Sequence, residues 1–439
     1  MQYIPNILFL ILLLLGSGFF IKNSKKIVRN IKLGYKGNDL DHKKERWTNV
    51  FRIALGQSKI LVRPISGILH VVVYIGFVII NIEVLEIIID GLFGTHRIFS
   101  GLGMLYNILI ASFELLAFLV LVSVIIFWIR RNIKRIKRFW SPEIKGWPKN
   151  DANIILYFEM VLMSLFLIMN ATDLQLQILG AEHYTKAGSF PISSFLLPLF
   201  ENLSQSSLII LERSAWWLHI TGIFIFLNYL YFSKHLHILL AFPNVYYGSV
   251  SPKGKFKNLE SVTNEVKLMM DPTADPFATP AEGVSVPAKF GASDVLDLSR
   301  TQLLNAYTCT ECGRCTSNCP ASQTGKKLSP RKIMMDTRDR LEEIGKNIDT
   351  NGVFIPDNKQ LLGDYITKEE LWACTTCNAC VESCPVSIDP LSIIMDMRQY
   401  LVMEQSAAPN ELNIAMTNIE NNGAPWPYNQ MDRLNWKNE

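Results

Sequence analysis

Five long apolar stretches in the first 245 residues place the strongest constraint on the fold of this 439-residue chain. A helix needs about 20 residues to cross the hydrocarbon core of a bilayer, and each stretch reaches or approaches that length. The stretches are Ile4–Ile21, Ile65–Ile89, Met104–Ile129, Ile154–Leu179 and Trp216–Phe242. The first has no basic segment before it and no small-residue cleavage site, so we interpret it as an anchor rather than a signal peptide. The sequence therefore predicts a multi-pass membrane domain over residues 1–245.

The basic residues between these stretches predict the orientation of the chain. Lys and Arg are concentrated between Lys22 and Lys59 and again between Arg130 and Arg138, whereas the alternate loops hold little beyond Arg97. Loops rich in Lys and Arg stay in the cytoplasm, which puts the N-terminus outside and the C-terminal half inside the cytoplasmic (inner) membrane. Basic runs can also bind nucleic acid, but these runs flank five apolar stretches. We therefore expect them to contact anionic lipid headgroups and expect no nucleic-acid partner.

All eight cysteines lie in two runs with the same spacing, each ending in Cys-Pro. The runs are Cys309-x2-Cys312-x2-Cys315-x3-Cys319-Pro320 and Cys374-x2-Cys377-x2-Cys380-x3-Cys384-Pro385. This spacing is typical of [4Fe–4S] ligation, and in two-cluster domains the fourth cysteine of each run binds the other cluster. The sequence thus predicts cluster 1 on Cys309, Cys312, Cys315 and Cys384, and cluster 2 on Cys374, Cys377, Cys380 and Cys319. Zinc knuckles usually have a wider internal gap, and a disulfide scaffold suits an oxidising compartment, so both are disfavoured.

The C-terminal half has helical patterns and no convincing strand pattern. A segment rich in Pro, Gly and small polar residues predicts a linker over residues 246–288, and residues 289–439 then form the two-cluster domain. Helical patterns occur at Leu303–Tyr307, Pro330–Ile344, Lys368–Trp372 and Leu391–Glu404. The predicted fold class is mainly α: a five-helix transmembrane bundle followed by a cytoplasmic α-helical dicluster ferredoxin domain.

The sequence around the cysteines resembles the iron–sulfur domain of heterodisulfide-reductase-like proteins. The resemblance covers residues 288–436 and includes the motifs FGASDVLDL from Phe290, CTECGRC from Cys309 and CTTCNACVESCPV from Cys374. One departure is Asn378, which stands where the family usually has glycine. Larger relatives also carry CCG modules that perform the substrate chemistry, and no Cys-Cys-Gly occurs in this sequence. The resemblance therefore implies a separate soluble partner: a CCG-domain protein, a flavoprotein or another oxidoreductase subunit.

Three histidines within the apolar stretches predict a haem site. His70 lies seven residues after Arg63, and His237 lies seven residues before the polar exit at Asn244, so the two share a depth near the cytoplasmic side. Ionisable residues are costly in lipid and usually mark a function, although a histidine hydrogen-bonded between helices is the alternative. We predict that His70 and His237 ligate haem b, with His235 as the competing inner ligand. On one continuous helix, His219 would share a face with His237 and lie roughly 27 Å from it.

Residues 1–245 also resemble the membrane cytochrome b subunit of respiratory nitrate reductase (the gamma subunit) and the haem subunit of membrane-bound heterodisulfide reductase. Both have five helices with bis-histidine haems between helices two and five. The family pattern has a second histidine about ten residues after His70, where this chain has Ile80. His219 then lacks an obvious partner, unless His96 from the outer loop supplies one. The resemblance implies one haem b and leaves a second open.

Acidic and amide residues within the stretches have two interpretations. They either form interhelical hydrogen bonds or provide a proton route to a quinone, for which Glu114 is the best single candidate. These residues are Glu83, Glu86, Glu114, Glu159, Asn170, Asp173 and Asn228.

Taken together, these features predict a membrane-bound electron-transfer subunit of a respiratory oxidoreductase. It would relay electrons between the soluble partner, where the substrate chemistry takes place, and the membrane quinone pool. The predicted cofactors are two [4Fe–4S] clusters, haem b and a quinone, with the quinone close to His70 and His237. Two alternatives are a membrane redox or haem sensor and a structural anchor that signals cluster state to a partner. The sequence contains no recognisable signalling output segment.

Overall fold

The computed structural model describes residues 3–37, 41–256, 258–273 and 289–438. Within these residues the chain is mainly helical and contains no β-strand, only two isolated bridges. The predicted fold class is therefore confirmed.

The first half of the chain forms the membrane bundle. Its helices are α1 (Ile4–Lys32), α2 (Lys43–Asn49), α3 (Pro64–Phe93), α4 (Met104–Asn132), α5 (Trp147–Ile178), α6 (Gln205–Tyr229) and α7 (His237–Tyr247). Helices α1, α3, α4 and α5, together with α6 and its 3₁₀ extension to Phe232, are long and apolar enough to cross a membrane. Large apolar side chains on their outer faces, such as Leu14, Ile68 and Val161, are more than half exposed. A lipid environment would cover these faces.

The fifth apolar stretch is not one helix, and this part of the sequence prediction is wrong. Helix α6 ends at Tyr229, a 3₁₀ turn follows to Phe232, and Ser233 is extended with φ −116° and ψ 147°. The Ser233 hydroxyl accepts a hydrogen bond of 3.1 Å from the backbone N–H of His235. Serine favours such a cap over helix continuation. The break means that His219 and His237 lie on different helices, so the expected common face and 27 Å spacing do not apply.

In the second half of the chain, α9, α10 and α15 pack against α12, the longest helix of the cysteine domain. The helices of this half are α8 (Glu260–Met270), α9 (Arg300–Thr308), α10 (Arg314–Ser317), α11 (Pro320–Gln323), α12 (Pro330–Asn351), α13 (Lys368–Trp372), α14 (Ala379–Ser383), α15 (Pro390–Met403) and α16 (Asn410–Asn422). The four predicted helical patterns coincide closely with α9, α12, α13 and α15. Helix α8 lies within the predicted linker, and residues 274–288 of that linker are outside the described residues. The domain boundaries stay predictions.

The cysteine domain packs against the end of the bundle that carries the basic loops. The side-chain amide of Asn30, near the end of α1, donates a hydrogen bond of 2.8 Å to the Tyr307 hydroxyl on α9. The Tyr35 N–H donates to the Leu298 carbonyl, and the Arg300 N–H donates to the Tyr35 carbonyl, both at 3.0 Å. These contacts bring the two halves of the chain into a single packed unit.

Candidate cofactor sites

Both cysteine runs adopt the same backbone conformation. Glu311 and Gly313 in the first run have φ values of 55° and 69°, and Thr376 and Asn378 in the second have 56° and 59°. Left-handed residues at alternate positions turn successive N–H groups toward one concavity, which suits an anionic cluster. Asn378 can replace the family glycine because asparagine tolerates this conformation better than most residues. At Gly313 a side chain would also collide with the guanidinium of Arg331.

The structure brings each predicted set of cysteines together. Cys309, Cys312, Cys315 and Cys384 line one small cavity, which Cys380 also borders. In the second set, the Cys374 thiol interacts electrostatically with Cys319 and Cys377, and the Cys380 thiol interacts with Cys374 and Cys319. All eight cysteines are free thiols. The fourth cysteine of each run lies near cysteines of the other run, and the ligand sets stay a prediction.

The chemistry of the thiols fits an iron–sulfur cluster. Burial raises the pKa of Cys309 and Cys380 to about 12 and that of Cys384 to about 11. Such thiols become thiolate ligands only beside a compensating cation, which cluster iron provides. Four thiols around a shared cavity suit a polynuclear cluster better than mononuclear zinc.

The two cysteine sets differ in their surroundings. Cys384 of the first set lies close enough to Lys59, in the loop before α3, for the two groups to interact electrostatically. The Arg314 guanidinium, next to Cys315, donates hydrogen bonds of 3.0 and 3.3 Å to the carbonyls of Lys59 and Ile60. In the second set, Cys377 is exposed to solvent. The first set therefore borders the membrane bundle, and the second reaches the surface.

His70 and His237 come together at this end of the bundle. Their ring centroids lie 6.4 Å apart with an interplanar angle of 46°. Two imidazole nitrogens at a metal–nitrogen bond length of about 2 Å from one ion would put the centroids roughly 6 Å apart. The Nδ1 atom of His237 lies 3.1 Å from the Lys234 carbonyl, which leaves Nε2 for a ligand, and the buried Nδ1 of His70 has no partner. Spacing and an unpartnered nitrogen both fit a bis-histidine haem.

His235 lies beside this pair, so the alternative inner ligand stays open. Its ring centroid is 5.5 Å from that of His237 and 5.3 Å from that of Phe226. The break between α6 and α7 places His235 on a 3₁₀ turn.

The structure does not bring His96 to His219. The Nδ1 atom of His219 lies 3.0 Å from the Leu162 carbonyl, and its ring packs on Phe166. His96 instead contacts the Asp173 carboxylate through Nε2 at 3.1 Å. Among the described residues, no contact joins the two histidines. Their pairing at a second haem is thus without structural support, because Asp173 fixes His96 in the outer loop.

A cavity of about 610 Å³ lies at the opposite end of the bundle and is lined partly by residues that the sequence singles out. Arg97 is buried there, with hydrogen bonds of 2.6 Å to Asp173 and 3.0 Å to Asn170. The cavity is also lined by Glu83, whose buried Oε2 atom has no partner, and by His96, whose Nδ1 atom is likewise buried without one. Trp216 and Trp217 form part of the wall. Such a volume can hold a drug-sized or cofactor-sized ring.

Glu114, the preferred proton-route candidate, has structural partners for one of its two carboxylate oxygens. Its Oε2 atom accepts hydrogen bonds of 2.9 and 3.1 Å from the backbone N–H groups of Ile192 and Ser193. Asn228 similarly donates 2.9 Å to the Gly16 carbonyl, which joins α6 to α1. The other oxygen of each side chain, Oε1 of Glu114 and Oδ1 of Asn228, is buried without a partner, so a proton route stays a prediction beside the hydrogen-bonding interpretation.

Comparison with known proteins agrees with the cysteine chemistry. Residues 305–388 match the family described as the 4Fe-4S dicluster domain. The sequence is 31% identical to "Probable iron-sulfur-binding oxidoreductase FadF" of Bacillus subtilis over 99% of this chain and 61% of that protein. It is 26% identical to the "EtfAB:quinone oxidoreductase" of Syntrophomonas wolfei over 89% of this chain and 53% of that protein.

A third relative covers mainly the cysteine domain. It is a subunit of the ferredoxin/F(420)H(2)-dependent CoB-CoM heterodisulfide reductase of Methanosarcina acetivorans, 32% identical over 27% of this chain and 60% of that protein. The chain spans only about half to three fifths of the length of these relatives. No solved structure matches it. The homologues are iron–sulfur oxidoreductases and heterodisulfide reductase subunits, and the predicted heterodisulfide-reductase-like resemblance is confirmed.

Proposed function

We propose that this chain is a membrane-bound electron-transfer subunit that connects a soluble oxidoreductase partner to the quinone pool of the inner membrane. The observation that carries the proposal is the packing of the first cysteine set against the bundle end where His70 meets His237. The bound clusters and haem would supply the one-electron chemistry. The protein would fix their spacing through the contacts described above.

The cysteine ligands form two groups in this proposal. Cys309, Cys312, Cys315 and Cys384 hold cluster 1 beside the bundle, and Cys374, Cys377, Cys380 and Cys319 hold cluster 2. Because Cys377 is exposed, the partner docks on the cluster 2 side. A relative named for EtfAB and quinone supports a soluble redox partner of this kind, and heterodisulfide reductase subunits among the relatives support a CCG-type partner equally.

Haem b is assigned to His70 and His237. The Lys234 carbonyl accepts the Nδ1–H of His237, which fixes the ring orientation and leaves Nε2 for iron. His219 stays a candidate ligand for a second haem, without a described histidine partner.

We assign the quinone headgroup to the cavity beside Glu83 and His96 rather than to the vicinity of His70. The His96 Nε2–H donates to Asp173, so Nδ1 is left as an acceptor, and the Glu83 carboxyl provides a second polar partner. A hydroquinone has two O–H donors that match these groups, and two tryptophans offer an apolar wall. Glu83 lies roughly 20 Å along α3 from His70. His219 follows the cavity residue Trp216 by three positions and lies between the two sites.

The direction of insertion follows from the basic loops. Arg29, Arg63 and Arg138 all contact the cysteine domain, so the positively charged end of the bundle and that domain share one side. The positive-inside rule assigns this side to the cytoplasm and the Glu83 cavity to the outer side.

The test uses the full chain in lipid nanodiscs with a water-soluble menaquinol analogue as the electron donor. We expect the analogue to reduce the haem first and the clusters afterwards. Reduction of the haem is followed by its α-band, and reduction of the clusters by their signals in electron paramagnetic resonance (EPR) spectra. The Glu83→Gln variant should lose at least tenfold in the rate of this step and keep full reduction by dithionite, because one proton acceptor is lost. A loaded protein that exchanges no electrons with any quinol would contradict the proposal and favour the sensor or the anchor.

A further inference from the structure

Glu311 occupies an unusual place for a carboxylate. It lies between Cys309 and Cys312, has a φ of 55° and is 4% exposed. A buried negative charge is costly unless it is paired, and here it would stand beside an anionic cluster. Something must compensate this charge.

Two cations from opposite sides pair with Glu311. Arg338, on α12 of the same domain, places Nη1 2.8 Å from Oε1, and Lys234, from the turn between α6 and α7, contacts Oε2. The two ion pairs therefore compensate the Glu311 carboxylate from both domains.

Lys234 also contacts the groups around the histidine turn, which is the segment Lys234–His237 between α6 and α7. Its ammonium donates 2.7 Å to the Pro148 carbonyl, and its backbone N–H donates 3.1 Å to the Asp151 carboxylate at the start of α5. Its carbonyl accepts from the Nδ1 atom of His237 at 3.1 Å. One residue thus contacts the cysteine loop through its side chain and the proposed haem ligand through its backbone.

We propose that Lys234 is a positioning residue whose charge pair with Glu311 locks the cluster 1 loop onto the histidine turn and sets the reduction potential of cluster 1. The inference rests on the cluster 1 ligand set of the proposed function, not on quinone exchange. Adding an electron makes the cluster more negative. A nearby positive charge therefore raises its potential and a nearby negative charge lowers it.

The decisive variants change the two charges separately and together. Lys234→Gln should shift the midpoint potential of cluster 1 to more negative values, because Glu311 loses one cation. Glu311→Gln should shift it to more positive values, because two cations then face the cluster. The double variant should return toward the wild-type potential. Lys234→Arg, which keeps the charge, should stay near the wild type.

The measurement is a mediator-controlled redox titration of the full chain, followed by low-temperature EPR, with iron and sulfide counts for each variant. Arg338→Gln is the matched control. It also removes one cation that pairs with Glu311, but this ion pair lies within the cysteine domain and does not join it to the bundle. It should shift the cluster 1 potential and leave the haem spectrum unchanged, whereas Lys234→Gln should alter both.

Several results would overturn the inference. Shifts of the same sign in Lys234→Gln and Glu311→Gln would show a merely structural effect, and no shift in either would show that the pair does not act on the cluster. The inference would also be contradicted if Lys234→Gln lost cluster 1 and the double variant with Glu311→Gln did not regain it. Chemical mediators deliver the electrons, so a failure here leaves the quinone proposal standing.

Discussion

The side-chain amide of Asn244, on α7, donates a hydrogen bond of 2.8 Å to the carbonyl of Val386. Val386 follows Cys384 by two residues, and Asn244 is fully buried. Helix α7 begins at His237, so a single short helix connects the proposed haem ligand with the second cysteine run. The cysteine domain is therefore packed onto the bundle at the point where electrons would have to cross.

Serine substitutions at Cys312 and Cys377 should remove different clusters. We expect each variant to retain about half of the iron and acid-labile sulfide, because each residue belongs to a different cysteine set. EPR spectra of the reduced variants should each lack a different cluster signal, and the haem spectrum should stay nearly intact. Simultaneous loss of haem in Cys312→Ser would contradict separate cofactor sites.

Alanine at His70 should abolish the α-band of reduced cytochrome b, because one axial ligand is lost. His237→Ala should have the same effect. Ile225, exposed on α6, provides a control substitution to alanine that should leave the band unchanged. An unchanged band in His70→Ala, measured in membranes with equal protein content, would rule out this ligand assignment.

Asn378 should accept glycine but not valine. Its left-handed φ of 59° costs a β-branched residue roughly 1–2 kcal/mol and costs glycine nothing. Asn378→Val should therefore lower the temperature at which the cluster 2 absorbance is lost, while Asn378→Gly should keep or raise it. Equal behaviour of the two variants would mean that backbone conformation does not limit this loop.

Features set by local sequence were predictable. The cysteine spacing points directly to iron–sulfur ligands, and hydropathy located four of the five long helices but placed the fifth across the break at Ser233. The shared depth of His70 and His237 followed from counting residues to the polar helix ends. The two rings come together although the helix between His219 and His237 is broken, because depth depends on distance from the membrane edge and not on helical phase.

Features set by long-range contacts were not predictable. Nothing local to Lys234 indicates that it meets Glu311, 77 positions along the chain. The break at Ser233 falls at the polar run Ser233-Lys234-His235 inside the predicted stretch, and hydropathy averaged over a helix-length window does not resolve so short a run. His96 was a plausible partner for His219 by depth, but the position of Asp173 on α5 decided its contact.

Removal of the Arg331 charge should weaken the contact between the cysteine domain and the membrane bundle. Its buried guanidinium places Nη2 2.7 Å from Glu143 and donates 2.7 Å to the Arg138 carbonyl, both in the loop between α4 and α5. Breaking a buried pair of this kind costs about 3–5 kcal/mol. Arg331→Met should therefore expose the cysteine domain to limited proteolysis. Lys327→Met, which breaks only the exposed pair with Glu369, should leave the digestion pattern unchanged.

Iron and acid-labile sulfide counts on the anaerobically purified chain, combined with low-temperature EPR after dithionite reduction, test the central claim most directly. We predict about eight iron and eight sulfide per chain beyond any haem iron, with two interacting paramagnetic clusters. Stoichiometric zinc with no labile sulfide and no EPR signal would contradict the account.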